Sequence, residues 1–243
     1  MQIEISPRKH PDLVVIFSTL KETTGAFGYN VGILFELSDK TRFGLHYRSA
    51  VDLSLNGTAD IGGAFAPLMG GASTTLDASL EVELPDTLEF SAYHELNDKL
   101  AIHADVLWTG WSKFQELAPI TNNAGVDSRV YVRGNWSDAF RFSVGATYKY
   151  SDRLTLRAGA AYDESPASTP DRTLRIPDAD RIWLSIGGTY VINESYNLDF
   201  GFTHILADDA TIVSEANGGN EEFFQGKAEG VVNLFAIGIS GSF

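Results

Sequence analysis

Five histidines, at positions 10, 46, 94, 103 and 204, are the residues from which a general base or a metal site would have to be built. None stands in a recognisable nucleophile motif, and Ser240, in Gly238-Ile239-Ser240-Gly241, lacks the spacing of a hydrolase elbow. His46, His94 and His103 fall in separate segments without a cysteine or histidine close by in sequence, so zinc spacing is missing too. With no cysteine in the chain, disulfides, thiolate sites and Cys nucleophiles are excluded. The residues therefore read as those of a non-enzyme with no cofactor. What remains is binding chemistry. Phe65-Ala66-Pro67-Leu68-Met69 puts an apolar centre into a polar loop, and Phe65, Leu68 and Met69 are expected to bind substrate. Exposed apolar groups mark a binding patch, and the flexible thioether of Met adapts to varied partners.

Of the 243 residues 44% are hydrophobic, yet the mean hydropathy is only -0.07. No run of about eighteen apolar residues occurs, which removes the helical route across a bilayer. Strands offer another route, because a closed barrel satisfies all backbone groups between neighbours and needs alternate residues to be apolar over only about ten positions. The 23 glycines and 12% aromatics suit tight turns and aromatic girdles. The net charge of -14 argues against a nucleic-acid partner, since phosphate binding needs clustered Lys and Arg.

The elements are hairpins closed by polar, acidic turns: Leu37-Ser38-Asp39-Lys40, Leu96-Asn97-Asp98-Lys99, Tyr150-Ser151-Asp152-Arg153 and Ile192-Asn193-Glu194-Ser195. Asn, Asp and Ser gather there because their side chains bond the neighbouring backbone. In 141–150 one face would carry Phe142, Val144, Ala146, Tyr148 and Tyr150, the other Arg141, Ser143, Gly145, Thr147 and Lys149. The next segment repeats this, with Leu154, Leu156, Ala158, Ala160 and Tyr162 against Thr155, Arg157, Gly159, Ala161 and Asp163. Similar patterns occupy 28–37, 42–51, 86–96, 99–109, 181–192 and 197–204, and the last runs from Val232 to Phe243. The reading is nine strands after residue 25, with room for one more at 12–20. Four longer connections remain, at 60–76, 110–138, 163–180 and 205–229.

A soluble β-sandwich also alternates. Arginine and lysine on the polar face, with aromatic residues at the ends of the apolar face, favour a wet lumen and a lipid-facing wall instead. A final strand ending in Phe243 fits recognition by barrel-assembly machinery. The opening residues are not a signal peptide, and the reading is of an incomplete amino terminus. Residues 1–25 form an atypical segment, and 26–243 the barrel portion.

Several segments then resemble one family, the FadL/TodX long-chain fatty-acid and hydrocarbon transporters of Gram-negative outer membranes. They include Lys40-Thr41-Arg42-Phe43-Gly44-Leu45-His46-Tyr47-Arg48-Ser49, Glu83-Leu84-Pro85-Asp86 and Gly110-Trp111-Ser112-Lys113-Phe114. Trp136-Ser137-Asp138, Tyr162-Asp163-Glu164-Ser165-Pro166 and Arg175-Ile176-Pro177-Asp178 follow in the same order. The resemblance implies an all-β, antiparallel transmembrane barrel of the outer-membrane type. Nine or ten strands of a fourteen-stranded family barrel would be present, without the family's amino-terminal hatch, leaving an unpaired edge near 26–37. It also implies passive uptake of long-chain fatty acids or other hydrophobic small molecules, with outer-membrane lipid and lipopolysaccharide around the wall. A non-transporting structural or receptor barrel, or an inactive fragment, is the alternative. In the family a basic residue near the Trp136 segment helps hold the fatty-acid carboxylate. The matching position is Val132, which makes the neighbouring Arg133 the candidate. Arg42, Arg48 and Arg157 are instead expected to pair with Glu36, Asp105 and Asp163 along the lumen wall.

Overall fold

A computed structural model describes residues 2–3, 22–23, 26–61, 74–117, 120–123, 126–129, 132–173, 176–214 and 224–241. Nine strands form its wall: β1 (Asn30–Ser38), β2 (Thr41–Arg48), β3 (Thr87–Asn97), β4 (Leu100–Thr109), β5 (Ala139–Lys149), β6 (Leu154–Asp163), β7 (Arg181–Val191), β8 (Tyr196–Ala207) and β9 (Val231–Gly241). Each pairs antiparallel with its neighbours in chain order. These are the nine expected strands, shifted at their ends by a few residues. Among the described residues the sheet is open, with β1 and β9 at its two edges. The expected edge near 26–37 is β1, and every residue of that strand is exposed.

The short turns are held as their composition requires. Asn97 Oδ1 accepts from the N–H groups of Lys99 and Leu100 at 2.9 and 3.1 Å, and Asn193 Oδ1 accepts from Ser195 and Tyr196, both at 2.9 Å. Ser151 and Ser38 act similarly through their hydroxyls. A side chain that satisfies two turn donors fixes the hairpin register, and register decides which face each residue takes.

Register aligns the outward residues into continuous apolar rows. Val106, Phe142, Tyr162, Ile182 and Leu206 make one row, and Ala104, Val144, Ala160 and Leu184 the row beside it. Val144 is 62% exposed, Ile186 63%, and Phe235 and Ile237 80%. The opposite face, with Arg141, Ser143, Gly145 and Thr147 in β5, is half-buried. Among the described residues no large side chain is fully buried. A β-sandwich would bury its apolar face, so this inversion removes that reading. Apolar groups are presented to lipid, and polar ones to the interior of a barrel wall.

Two corrections concern the connections. The first is wider than 60–76, because Val51–Ile61 and Thr74–Leu84 form a second hairpin, paired from Val51 opposite Leu84 to Ile61 opposite Thr74. Within 205–229, Ala210–Ser214 pairs with Phe224–Glu229. Strands thus continue where loops are expected, since a long connection must still satisfy its backbone groups. The 12–20 strand and Phe243 lie outside the described residues. The helical pieces among the described residues are single 3₁₀ turns, Trp111–Lys113 and Thr169–Asp171.

Candidate functional site

At the long-connection end, register brings Leu107 of β4, Arg141 of β5, Asp163 of β6 and Arg181 of β7 into one inward row. Trp111, Trp136, Pro166, Ile176 and Asp178 close over this row from the connections, leaving a pocket of about 210 Å³ at the mouth of the lumen. Its lid is built from aromatic packing. Phe114 and Trp136 have ring centroids 4.6 Å apart, and Trp111 meets Trp136 at 5.1 Å and 70°. Asn135, at φ 47°, turns the chain just before Trp136, a left-handed conformation that Asn tolerates. Its amide donates to Asp171 at 3.0 Å. Gly134 allows the close approach behind it, for a Cβ there would stand 2.6 Å from the carbonyl oxygen of Phe114.

Most polar groups of the pocket are engaged. Arg181 contacts Asp163 at 3.5 Å and Asp178 at 3.4 Å. Asp178 also accepts from the Ser165 hydroxyl at 2.8 Å, and Glu164 accepts from the Phe140 N–H at 3.0 Å. The Arg181 contact to Asp163 runs through Nε and is an ion pair without hydrogen-bond geometry. Arg141 faces Asp163 in register, yet its guanidinium makes no ion pair or hydrogen bond among the described residues. The site thus has one unpaired guanidinium, that of Arg141, beside an apolar and aromatic lining.

The turn bearing Trp111 is held by three carboxylates, Asp138, Asp86 and Glu83. Asp138 accepts from the Ser112 N–H at 2.9 Å and from the Trp108 indole at 3.2 Å. Hydrogen bonding from Ser112 holds the Asp138 carboxyl below its ordinary value of 3.8. Lys113 reaches Asp86 at 3.1 Å and Glu83 at 3.5 Å, and the bond to Asp86 raises its ammonium above 10.5. Asp86 itself is buried, accepts from the Tyr47 hydroxyl at 3.1 Å, and receives the Gly110 N–H on its carbonyl at 2.9 Å.

A second cavity, about 690 Å³, runs along the 51–61/74–84 hairpin beside Lys113, Gln115, Glu116 and Ile120. Asp52, Glu81, Glu83 and Glu116 face a single Lys113 there. Larger but acidic, it is a poor host for an anion.

The expected binding residues fare unequally. Phe65, Leu68 and Met69 lie outside the described residues, although their stem flanks the larger cavity. Arg133 sits in the short strand Val132–Arg133, opposite Glu116 in register, and its side chain is outside the described part. Of the expected lumen pairs, Asp163 takes Arg181, while Arg157 donates to Thr189 at 2.8 Å. Arg42 does face Glu36 in register, but its guanidinium lies 4.0 Å over the Tyr93 ring. Arg48 and Asp105 fall in different rows. Histidines 94, 103 and 204 each meet a neutral partner, Thr41, Thr147 and Asn233 respectively. No group of three or more ligands among the described residues could hold a metal. Arg141 was legible as a polar-face residue, but not as part of a pocket. That position depends on cross-strand register and on residues far along the chain.

An antiparallel wall with an exposed apolar face, a polar inner face and covered connections at one end defines an outer-membrane β-barrel wall. The chain belongs to the outer membrane protein transport protein family (OMPP1/FadL/TodX), whose model matches residues 14–243. It is 35% identical over 225 residues to the long-chain fatty acid transport protein of Escherichia coli K12, covering 89% of this chain and 48% of that protein. It is 33% identical over 181 residues to outer membrane protein P1 of Haemophilus influenzae, covering 74% and 38%. Among solved structures, a Pseudomonas aeruginosa FadL homologue matches with TM-score 0.79 at 24% identity, covering 88% of this chain and 52% of that one. The Pseudomonas putida toluene transporter TodX matches with TM-score 0.63 at 19% identity, covering 89% and 50%. The chain spans about half the length of the curated relatives it matches. Membership places it in the outer membrane, in a family of channels and not of enzymes.

Proposed function

We propose that this chain forms part of a passive channel for uptake of long-chain fatty acids or other hydrophobic compounds. The observation that carries this reading is the mouth pocket, where an apolar, aromatic lining stands beside the Arg141 guanidinium, which has no partner among the described residues. Such a site receives an apolar body and orients a polar end. Phe65, Leu68 and Met69 make the first contact on the outer side. Burying a methylene contributes about 0.8 kcal/mol, so four or five would hold a tail without an ionic contact. Lipid and lipopolysaccharide surround the apolar face, and Phe243 presents the chain to the assembly machinery.

Binding of a fluorescent fatty acid to the detergent-solubilised chain tests the first contact. Replacing Phe65→Ser, Leu68→Ser and Met69→Ser together should weaken it far more than Arg133→Ala. Unchanged affinity in a folded triple variant would remove the loop from the reading. Flux of fatty acids or hydrocarbons into liposomes carrying the chain tests uptake. Flux no greater than in protein-free liposomes would leave a receptor or structural barrel as the better account.

A further inference from the structure

The mouth pocket has a size and a hydrogen-bond imbalance that together narrow its ligand. At about 210 Å³ it falls below the roughly 300 Å³ at which pockets begin to enclose a drug-sized molecule. It has room for one ring or a short chain. Trp111 and Trp136 supply the aromatic surface, and edge and face contacts between rings contribute beyond plain area burial.

The lining carries two guanidiniums and three carboxylates, so which of them are engaged decides what it can bind. Arg181 is shared between Asp163 and Asp178, and Glu164 accepts a backbone N–H. Arg141 is left with a planar fork of donors and no acceptor among the described residues. A neutral hydrocarbon entering here would cover those donors without satisfying them, whereas a carboxylate can take two charge-assisted bonds.

We propose that this pocket binds a monocyclic aromatic carboxylate, its ring against Trp111 and Trp136 and its carboxylate on the Arg141 guanidinium. The proposal rests on the uptake reading and specifies one class of molecule the channel would admit. Arg141 acts in it as a specificity-determining residue, rejecting uncharged rings of the same shape.

Calorimetric titration of the full chain in detergent, using benzoate, hexanoate and toluene as separate probes, tests this. Benzoate should bind with one-site stoichiometry, at least tenfold tighter than either of the others. Arg141→Gln should abolish most of that preference, weakening benzoate at least tenfold more than toluene. Arg141→Lys keeps the charge without the fork and should fall between the two. It also carries the test if the glutamine variant fails to fold. Toluene binding as well as benzoate, hexanoate binding better than benzoate, or equal affinities in wild type and the Arg141 variants would each overturn the proposal. Liposome flux measured alongside separates the two readings: flux without benzoate binding sinks the pocket alone, and benzoate binding without flux of any probe sinks the channel.

Discussion

The wall and the 51–61/74–84 hairpin carry the same period of two and bury opposite faces. In β5 the apolar set, Phe142, Val144 and Tyr148, is exposed, and the polar set is half-buried. In the hairpin Asp52, Ser54, Asn56 and Thr58 are exposed, while Leu53 and Leu55 are half-buried and Leu76 is only 7% exposed. Alternation therefore reports a two-faced strand and leaves open which face meets solvent. The medium settles that. Lipid around the wall accepts apolar side chains, whereas water around the hairpin forces them against protein.

The largest expected effect breaks the wall's side of this contrast. Val144→Arg places a charge midway along β5 on the lipid face and should destabilise the wall by about 2–4 kcal/mol. Ser143→Ala, next to it on the inner face, should cost well under about 1 kcal/mol. Urea unfolding in lipid vesicles measures both, and equal effects would mean that the faces are assigned wrongly.

In the hairpin, the corresponding change is Leu76→Ala, with an expected cost near the low end of the about 2–5 kcal/mol range for buried leucines. The loss should stay local. Hydrogen exchange should quicken at amides of 51–61 and 74–84 and hold steady in β5 and β6; a uniform rise would join the two regions into one cooperative unit.

A smaller effect separates tight from open positions in the wall. A Cβ at Gly187 would stand 2.7 Å from the carbonyl oxygen of Phe200, whereas one at Gly238 would meet nothing within 4 Å. Gly187→Ala should cost about 1–2 kcal/mol by overpacking, and Gly238→Ala nearly nothing. Thermal unfolding of the two variants should differ in that direction.

The smallest effect concerns the turn that joins the regions. Asp138 has a depressed folded pKa, so its contribution is complete above the ordinary 3.8 and is lost as pH falls through the lower value. Lys113 has a raised one, so its contribution is complete below 10.5 and is lost as pH rises through the higher value. Amide protection across 110–116 should be steady between those limits and decline outside them. Asp138→Asn should leave only the alkaline decline, and an unchanged acid limb in that variant would remove Asp138 as the anchor.

By itself the sequence determined the nine wall strands, their turns and the two-faced character of each. These are local properties: a period of two, and an Asn or Ser placed where a turn has donors to satisfy. The 51–61 and 74–84 strands carried the same signal in Val51-Asp52-Leu53-Ser54-Leu55 and Leu80-Glu81-Val82-Glu83-Leu84, but nothing local distinguishes a wall strand from one standing beyond it. Only the tertiary structure decided that Arg181, and not Arg157, meets Asp163, and that Leu107, Arg141, Asp163 and Arg181 share one row beneath Trp111 and Trp136. Those juxtapositions depend on the register of four strands and on how the connections fold back over them. A site assembled from residues some seventy positions apart is fixed by the summed geometry of the sheet, which no single segment contains.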